Sequence, residues 1–278
     1  MTLSRRTALA GIAGATLAST ATLRTASADM LHNARKDKPM NALIVLTSIS
    51  AFPASAGEHA GRATGFYIDE MAGPYWAMRD FGLGVEFASI AGGKPPIDPA
   101  SLGDDGSHKD FVQRFLDDAH SMEALAASMP IAAVDPSRYS AIFLPGGHGT
   151  MWDFRQSQAL ADVIGTAWDN GAVVGAVCHG PAGLVEAVDA SGEPIVKERR
   201  VNAFTDAEEE AVGLTHAMPY LLESALREKG ALFEGADNFQ PHAVRDGRLV
   251  TGQNPASVAA VSSLLVEALR ATGHAKAA

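Results

Sequence analysis

Four uninterrupted apolar segments of strand length limit the folds open to this chain more than any other feature. They cover residues 42–46, 85–90, 141–144 and 172–177. A strand with one face in water alternates apolar and polar residues, whereas a continuously apolar strand is buried on both faces. The four segments therefore predict a parallel β-sheet that is covered by helices on both sides.

Helix-like segments lie between and after these predicted strands. They cover residues 68–81, 111–128, 157–170 and 218–229, and each ends near a glycine, proline or asparagine, as helices tend to do. Because strands and helices alternate along the chain, we expect right-handed crossovers and a domain of the α/β class.

The C-terminal part has a different pattern. Asp246 and Gly247 lie between two short alternating segments over residues 243–250, which predicts a β-hairpin. Residues 254–257 then open a last helix, which we expect to end near Ala271.

The first 28 residues have the pattern of an export signal. Arg5 and Arg6 precede a mildly apolar run over residues 8–18, and residues 26–28 are small enough for a signal peptidase. We expect a twin-arginine signal peptide, cleavage after Ala28 and a periplasmic protein. A membrane anchor is the alternative, but the run is shorter than the roughly 20 residues that span a bilayer.

The predicted organisation is a signal peptide (1–28), a polar linker (29–38), one α/β domain (39–272) and a tail (273–278). Cleavage removes three arginines and no acidic residue, so the formal net charge changes from −10 to −13. A surface of this sign repels phosphate backbones. We therefore expect no nucleic-acid partner, and no membrane association once the signal is cleaved.

The single cysteine, Cys178, directly follows the fourth apolar segment and cannot form an intramolecular disulfide. Small neighbours, Ala176 and Gly180, permit the strained strand-to-helix turn called a nucleophile elbow. A helix N-terminus there would favour the thiolate. A buried structural cysteine is the alternative, but His179 and Pro181 beside the turn are hard to explain by packing.

A glycine-rich turn over residues 145–150 follows the third apolar segment. It lies at the same carboxyl edge of the predicted sheet, where α/β proteins bind ligands. We expect Gly146, Gly147 and His148 to form the oxyanion and substrate-binding side of the pocket, opposite Cys178. Taken alone, this glycine-rich run is weak evidence for an oxyanion site, because any tight turn after a strand can have such a composition.

Two long motifs stand out, Val-Cys-His-Gly-Pro-Ala at residues 177–182 and Asp-Gly-Arg-Leu-Val-Thr-Gly-Gln-Asn-Pro-Ala-Ser at residues 246–257. Together with residues 145–150 and 204–213 they resemble the DJ-1/PfpI superfamily, which is class I glutamine amidotransferase-like. Within it they resemble the heat-shock protein 31-type glyoxalase III branch. The similarity runs from about residue 43 to 269, and it implies a flavodoxin-like parallel sheet with helices on both faces.

The resemblance also implies residue roles. Cys178 corresponds to the nucleophile, and His179 to the general base or proton shuttle that a carboxylate orients. Counting along the motif selects Glu209 as that carboxylate, with Glu208 as the main rival in the run of three glutamates that ends at Glu210. For the two glutamates that are not selected, we expect a solvated helix N-terminus.

The segment that ends at Glu70 resembles the family segment whose glutamate approaches the cysteine. A carboxyl there would either stay protonated and hydrogen-bond the thiolate or relay a substrate proton. Without the family, a helix-surface glutamate is the plain alternative. The histidines other than His179 show no compact ligand spacing, so we expect no metal.

The resemblance implies a glyoxalase III that needs no cofactor, acts as a homodimer and converts a small 2-oxoaldehyde such as methylglyoxal into a 2-hydroxy acid, D-lactate. Hydrolysis of an amide or peptide bond by the same triad is one alternative. A holdase chaperone or redox-stress protein that works without Cys178 is another. Methylglyoxal arises mainly in the cytoplasm, so an exported member could meet a different carbonyl compound.

Overall fold

The centre of the molecule is a seven-stranded β-sheet in a computed structural model that describes residues 39–103 and 109–274. The strands in chain order are β1 (Asn41–Leu46), β2 (Gly84–Ser89), β3 (Met129–Pro130), β4 (Ala141–Leu144), β5 (Val173–Val177), β6 (Arg200–Val201), β7 (Leu232–Phe233), β8 (Ala243–Asp246) and β9 (Leu249–Gly252). The sheet order is β3-β2-β1-β4-β5-β9-β8, and β6 pairs separately with β7. The four apolar segments form β1, β2, β4 and β5, which pair in parallel and confirm the predicted sheet.

Eight α-helices are described between and after these strands. They are α1 (Ile68–Phe81), α2 (Asp110–Asp117), α3 (Ala119–Ala126), α4 (Thr150–Asp153), α5 (Gln158–Asp169), α6 (Asp206–Ala211), α7 (Leu222–Glu228) and α8 (Val258–Ala271). The prediction of one helix over 111–128 is wrong, because Asp118 ends α2 and its side chain caps α3 by accepting from Ser121 N–H. The helix predicted over 218–229 starts later, at Leu222, because Pro219 disfavours helical geometry at the residue before it and Leu221, the N-cap, is extended.

Each central strand sends alternate side chains into two separate cores. Ile44 and Phe143 belong to one apolar cluster, while Leu43 and Ile142 belong to the other. Residues of α1, α2 and α8 complete the first cluster, and residues of α5 and α7 complete the second. Helices therefore cover both faces, which is why the strand segments are apolar throughout.

The C-terminal hairpin forms as expected. Strands β8 and β9 pair antiparallel around Asp246 and Gly247, and Gly247 has a φ of 58° that suits a tight hairpin turn. Strand β9 also pairs in parallel with β5. The hairpin thereby extends the parallel sheet by one antiparallel edge strand.

The predicted signal peptide (1–28) and linker (29–38) lie outside the described residues. From Pro39 onward the chain clusters as one unit. In the predicted tail, the His274 N–H donates to Leu269 and so caps α8, while residues 275–278 lie outside the description. None of the described helices combines the length and the apolar character that crossing a bilayer requires.

Candidate active site

Cys178 lies in a strained turn at the carboxyl end of β5. Its φ is 58°, a left-handed value that is costly for a residue with a side chain. The turn is held by the Cys178 N–H on Gly252 O and by the Phe204 N–H on Cys178 O. A Cβ on Gly180 would lie 1.9 Å from Leu144 O, so only glycine fits there. The local geometry is that of the expected elbow.

The helix that we expect after the elbow is much shorter than an α-helix. Residues Gly180–Leu184 form a five-residue 3-10 helix, whose dipole is too small to carry the expected stabilisation of a thiolate. Burial raises the pKa of Cys178 well above its usual value, and the nearby Glu70 raises it further, while the His179 backbone N–H opposes the rise. Burial and Glu70 thus oppose ionisation of this thiol, and the elbow supplies one backbone N–H that favours it.

His179 is the candidate base for this thiol. Its Nδ1 lies 3.3 Å from Cys178 Sγ, and its Nε2 lies 2.8 Å from Oε2 of Glu209. An ionised carboxylate only accepts hydrogen bonds, so Nε2 carries the proton and Nδ1 presents a lone pair to the thiol. The imidazole is almost completely buried, at 1% exposure. The arrangement suits direct transfer of the thiol proton to Nδ1.

The structure places Glu209, and not Glu208, against His179. Glu208 is part of the capping box of α6, where it accepts from the Thr205 N–H, and its other oxygen accepts from the amide of Asn254. The expectation that both remaining glutamates are solvated holds for Glu210, which is exposed, and is wrong for Glu208, which is buried. The helix cap uses the Glu208 carboxylate, because that carboxylate accepts from the Thr205 backbone N–H while the Thr205 hydroxyl accepts from the Glu208 N–H.

His148 makes a contact that the sequence did not predict. Its Nε2 lies 3.0 Å from Oε1 of Glu209, and its ring centroid lies 4.2 Å from that of His179. Burial alone would raise the pKa of Glu209, but the charge of His179 and the hydrogen bonds from both imidazoles outweigh burial and hold that pKa well below its usual range. Glu209 is therefore ionised at all working pH values.

The three side chains are also close enough to hold a cation. The nearest ligand atoms of His148, His179 and Glu209 lie within 4.8 Å of one another, although the sequence shows no compact ligand motif. The hydrogen bonds of His148 and His179 to Glu209 already use both oxygens of the carboxylate and one nitrogen of each ring. Hydrogen bonding thus accounts for the cluster without an ion.

Glu70 approaches the thiol from the first turn of α1. Its side chain is fully buried, Oε2 accepts from the Gly146 N–H at 2.8 Å, and Oε1 has no hydrogen-bond partner among the described residues. Burial raises the pKa of Glu70 to about 8, against the opposing effects of the Gly146 N–H and of Cys178. The carboxyl is consequently neutral at pH 7, with a proton to donate, and the plain alternative of a helix-surface glutamate is wrong.

The backbone N–H groups of Gly146 and Gly147, in the turn after β4, differ in their hydrogen bonding. The Gly146 N–H is occupied by Glu70, so it is not the free oxyanion donor that we expected. A Cβ on Gly146 would lie 2.6 Å from His179 N, which shows how closely the two turns approach. The Gly147 N–H makes no hydrogen bond within the described chain, and Gly147 lines the pocket. It is the better candidate for an oxyanion donor.

A pocket of about 270 Å³ gives access to these groups. Arg62 lies at this pocket with its guanidinium 5.5 Å from the ring centroid of Phe52, and the buried Asp98 is held by the hydroxyl of Thr64. The lining of the pocket is mainly apolar and aromatic around the reacting groups. The lining residues are Phe52, Arg62, Tyr67, Asp98, Ala100, Gly147, His148, Cys178, His179, Phe204, Val212, Leu214, Phe239 and Pro255. The space fits a small molecule of a few carbon atoms.

Comparison with known proteins gives consistent results at the level of family, sequence and fold. The model of the DJ-1/PfpI family matches residues 70–268. Glyoxalase 3 of Candida albicans is 32% identical over 71% of this chain and 86% of its own length. Glutathione-independent glyoxalase HSP31 of Saccharomyces cerevisiae is 30% identical over 84% of this chain and 99% of its own length.

A solved structure shares the fold. The crystal structure of glyoxalase III from Candida albicans superposes with a TM-score of 0.74 and 28% sequence identity, over 82% of this chain and 97% of that one. Its agreement with the sheet and helices described above confirms the flavodoxin-like α/β class.

Proposed function

This chain belongs to the DJ-1/PfpI family, and from that premise we propose that it is a glutathione-independent glyoxalase. The substrate class is a small 2-oxoaldehyde such as methylglyoxal, and the product is a 2-hydroxy acid, D-lactate from methylglyoxal. The relatives' names support the activity. One observation in the site carries the proposal: a buried thiol 3.3 Å from an imidazole whose other nitrogen is held by an ionised carboxylate.

The first step forms a carbon–sulfur bond. Nδ1 of His179 accepts the Cys178 proton while Sγ attacks the aldehyde carbon. The carbonyl oxygen becomes an oxyanion, for which the N–H of the pocket-lining Gly147 is the candidate donor. Return of the proton from His179 to that oxygen gives a neutral hemithioacetal, and Glu209 stabilises the transient imidazolium throughout.

The second step moves one proton between two carbon atoms. A base removes the hydrogen from the carbon bonded to sulfur, the electrons form an enediolate, and a proton returns to the neighbouring carbon to give a thioester. His179 is the better base, because Glu70 is already protonated at pH 7 and can only donate. Attack of water on the thioester then releases the 2-hydroxy acid and restores the thiol, so aldehyde plus water gives acid without net oxidation.

The hydrolase alternative is not needed, since the curated relatives are named glyoxalases. A holdase role without Cys178 stays a separate prediction, to be tested by suppression of client aggregation in the same variants.

Export and assembly are further proposals. We propose that residues 1–28 direct the protein through the twin-arginine pathway to the periplasm, on the basis of Arg5, Arg6 and the small residues before Asp29. We also propose that it forms a homodimer, as expected for the family. In the periplasm such an enzyme could also meet 2-oxoaldehydes other than methylglyoxal.

The test is D-lactate formation from methylglyoxal by residues 29–278, without glutathione or added metal. We expect turnover by the wild-type protein and a loss of more than about 10³-fold in Cys178→Ala, because no other group can form the thioester. A Glu210→Gln variant, which alters an exposed glutamate of the same helix, is the matched control. Absence of turnover with a reduced thiol, for methylglyoxal and for other 2-oxoaldehydes, would refute the proposal.

A further inference from the structure

Glu209 is shared between two imidazoles that come from different parts of the chain. His179 follows β5 and holds Oε2, whereas His148 follows β4, 61 residues away from Glu209, and holds Oε1. Because an ionised carboxylate offers no proton, each of these bonds needs an N–H on the histidine. Both rings are thereby fixed as Nε2–H donors, and both oxygens of Glu209 are used.

The two imidazoles differ in exposure and in what their other edge faces. The His179 side chain is 1% exposed and its Nδ1 faces the thiol, while the His148 side chain is 18% exposed at the pocket wall. No sulfur contact is described for His148. Its ring centroid lies 5.8 Å from that of Phe52, and 6.1 Å from that of Phe204. His148 is thus anchored beside the reacting pair without contacting the thiol.

We propose that His148 is a positioning residue that acts through Glu209. Its Nε2–H holds one carboxylate oxygen, so that the other oxygen stays on His179 Nε2 and the lone pair of His179 Nδ1 stays on the thiol. This inference rests on the proposed function only for its effect on turnover. The effect on the reactivity of Cys178 follows from the geometry alone.

The charge of the cluster sets a condition on this arrangement. His179 must become positive when it takes the thiol proton, and a second positive charge 4.2 Å away between ring centroids would oppose that transfer. Burial lowers the pKa of His148 and the charge of His179 lowers it further, against the opposing effects of Glu209 and Asp98. Burial and a charge on His179 thus both oppose a charge on His148, and its bond to Glu209 needs only the neutral Nε2–H.

Two substitutions separate the N–H from the imidazole. His148→Gln places an amide N–H close to the position of Nε2 and does not titrate, whereas His148→Leu has a similar bulk and no donor. Because Cys178 is the single cysteine, alkylation by iodoacetamide reports on this thiol alone and uses no carbonyl substrate. Alkylation rates are measured from pH 5 to 9, together with kcat and KM for methylglyoxal and the unfolding temperature of each variant.

We expect His148→Leu to lower both the alkylation rate at pH 7 and kcat by about 10- to 100-fold, the range known for outer groups that orient metal-binding histidines, with KM within about twofold. His148→Gln should stay within about threefold of wild type at pH 7 and keep its reactivity to lower pH, since no charge develops at residue 148. If the His148→Leu variant is alkylated at the wild-type rate, or if its KM rises at unchanged kcat, the proposal is overturned and His148 is a substrate contact. Equal losses in both variants, or loss of activity on treatment with EDTA, would overturn it as well.

Discussion

Glu70 and Glu209 are two buried carboxyl groups on opposite sides of the same cysteine–histidine pair, and their surroundings drive their pKa values in opposite directions. Glu70 has one backbone N–H and a neighbouring thiol, and its pKa rises to about 8. Glu209 accepts from two imidazoles, and its pKa falls far below the usual range despite its burial. Burial alone therefore does not decide the charge of a carboxyl group; the hydrogen-bond donors around it do.

The difference divides the chemical work between the two groups. A neutral Glu70 can donate a proton toward the charge that develops on sulfur or substrate, and an ionised Glu209 can only accept and stabilise the imidazolium of His179. Two acids of the same type thus serve as donor and acceptor in one pocket.

The largest effect that tests this comparison is expected from Glu209→Gln. A glutamine amide can accept from only one of the two imidazoles, and its NH₂ group then opposes the N–H of the other. We expect kcat to fall by about 10²- to 10⁴-fold, as for other residues that orient a catalytic histidine. Steady-state kinetics and Cys178 alkylation measure the loss.

Glu208→Gln is the matched control for that substitution. It changes the neighbouring residue in the capping box of α6, where a glutamine can replace only part of the bonds to Thr205, Phe239 and Asn254. We expect a stability loss of about 1 to 3 kcal/mol with kcat within about threefold. The reverse pattern, with kcat lost in Glu208→Gln and retained in Glu209→Gln, would show that Glu208, and not Glu209, belongs to the triad.

A smaller effect is expected in the pH dependence of stability. The folded-state pKa of Glu70 is about 8 and lies above the ordinary value of 4.5, so the folded state keeps this proton to higher pH than the unfolded chain does. The protonated Glu70 therefore contributes to the free energy of unfolding in full below about pH 4.5, and this contribution is lost as pH rises toward 8. Between pH 5 and 8 the free energy of unfolding of wild type should fall by up to about 4 kcal/mol relative to that of Glu70→Gln. Urea unfolding at several pH values measures both proteins. Parallel plots of unfolding free energy against pH would contradict a raised pKa of Glu70.

Much of the fold could be predicted from the sequence because its signals are local. The apolar segments that became β1, β2, β4 and β5 are buried on both faces, and the Asp246–Gly247 turn fixes the hairpin. Predictions failed where a single residue set a helix boundary, as Asp118 does at the end of α2 and Pro219 before the start of α7. Those ends depend on one hydrogen bond or one steric clash, which periodicity does not register.

The site could be predicted only where a motif is continuous along the chain. Cys178, His179 and the run that contains Glu209 each have such a motif, and the structure brings them together. Two contacts have no local signal, because they join residues that are far apart in sequence. They are the bond from His148 to Glu209 and the use of the Gly146 N–H by Glu70. They arise only because the fold brings the turn after β4 against α6 in one case and against α1 in the other.

The most direct measurement of this division between the two acids is infrared difference spectroscopy of the carboxyl groups. Spectra of wild type, Glu70→Gln and Glu209→Gln at pH 6 are compared, and the wild-type spectrum is followed to pH 9. We expect the Glu70 difference to show the C=O band of a protonated acid that disappears near pH 8, and the Glu209 difference to show a carboxylate at every pH. A carboxylate band from Glu70 at pH 6, or a protonated band from Glu209, would contradict the opposite charge states on which the proposed chemistry depends.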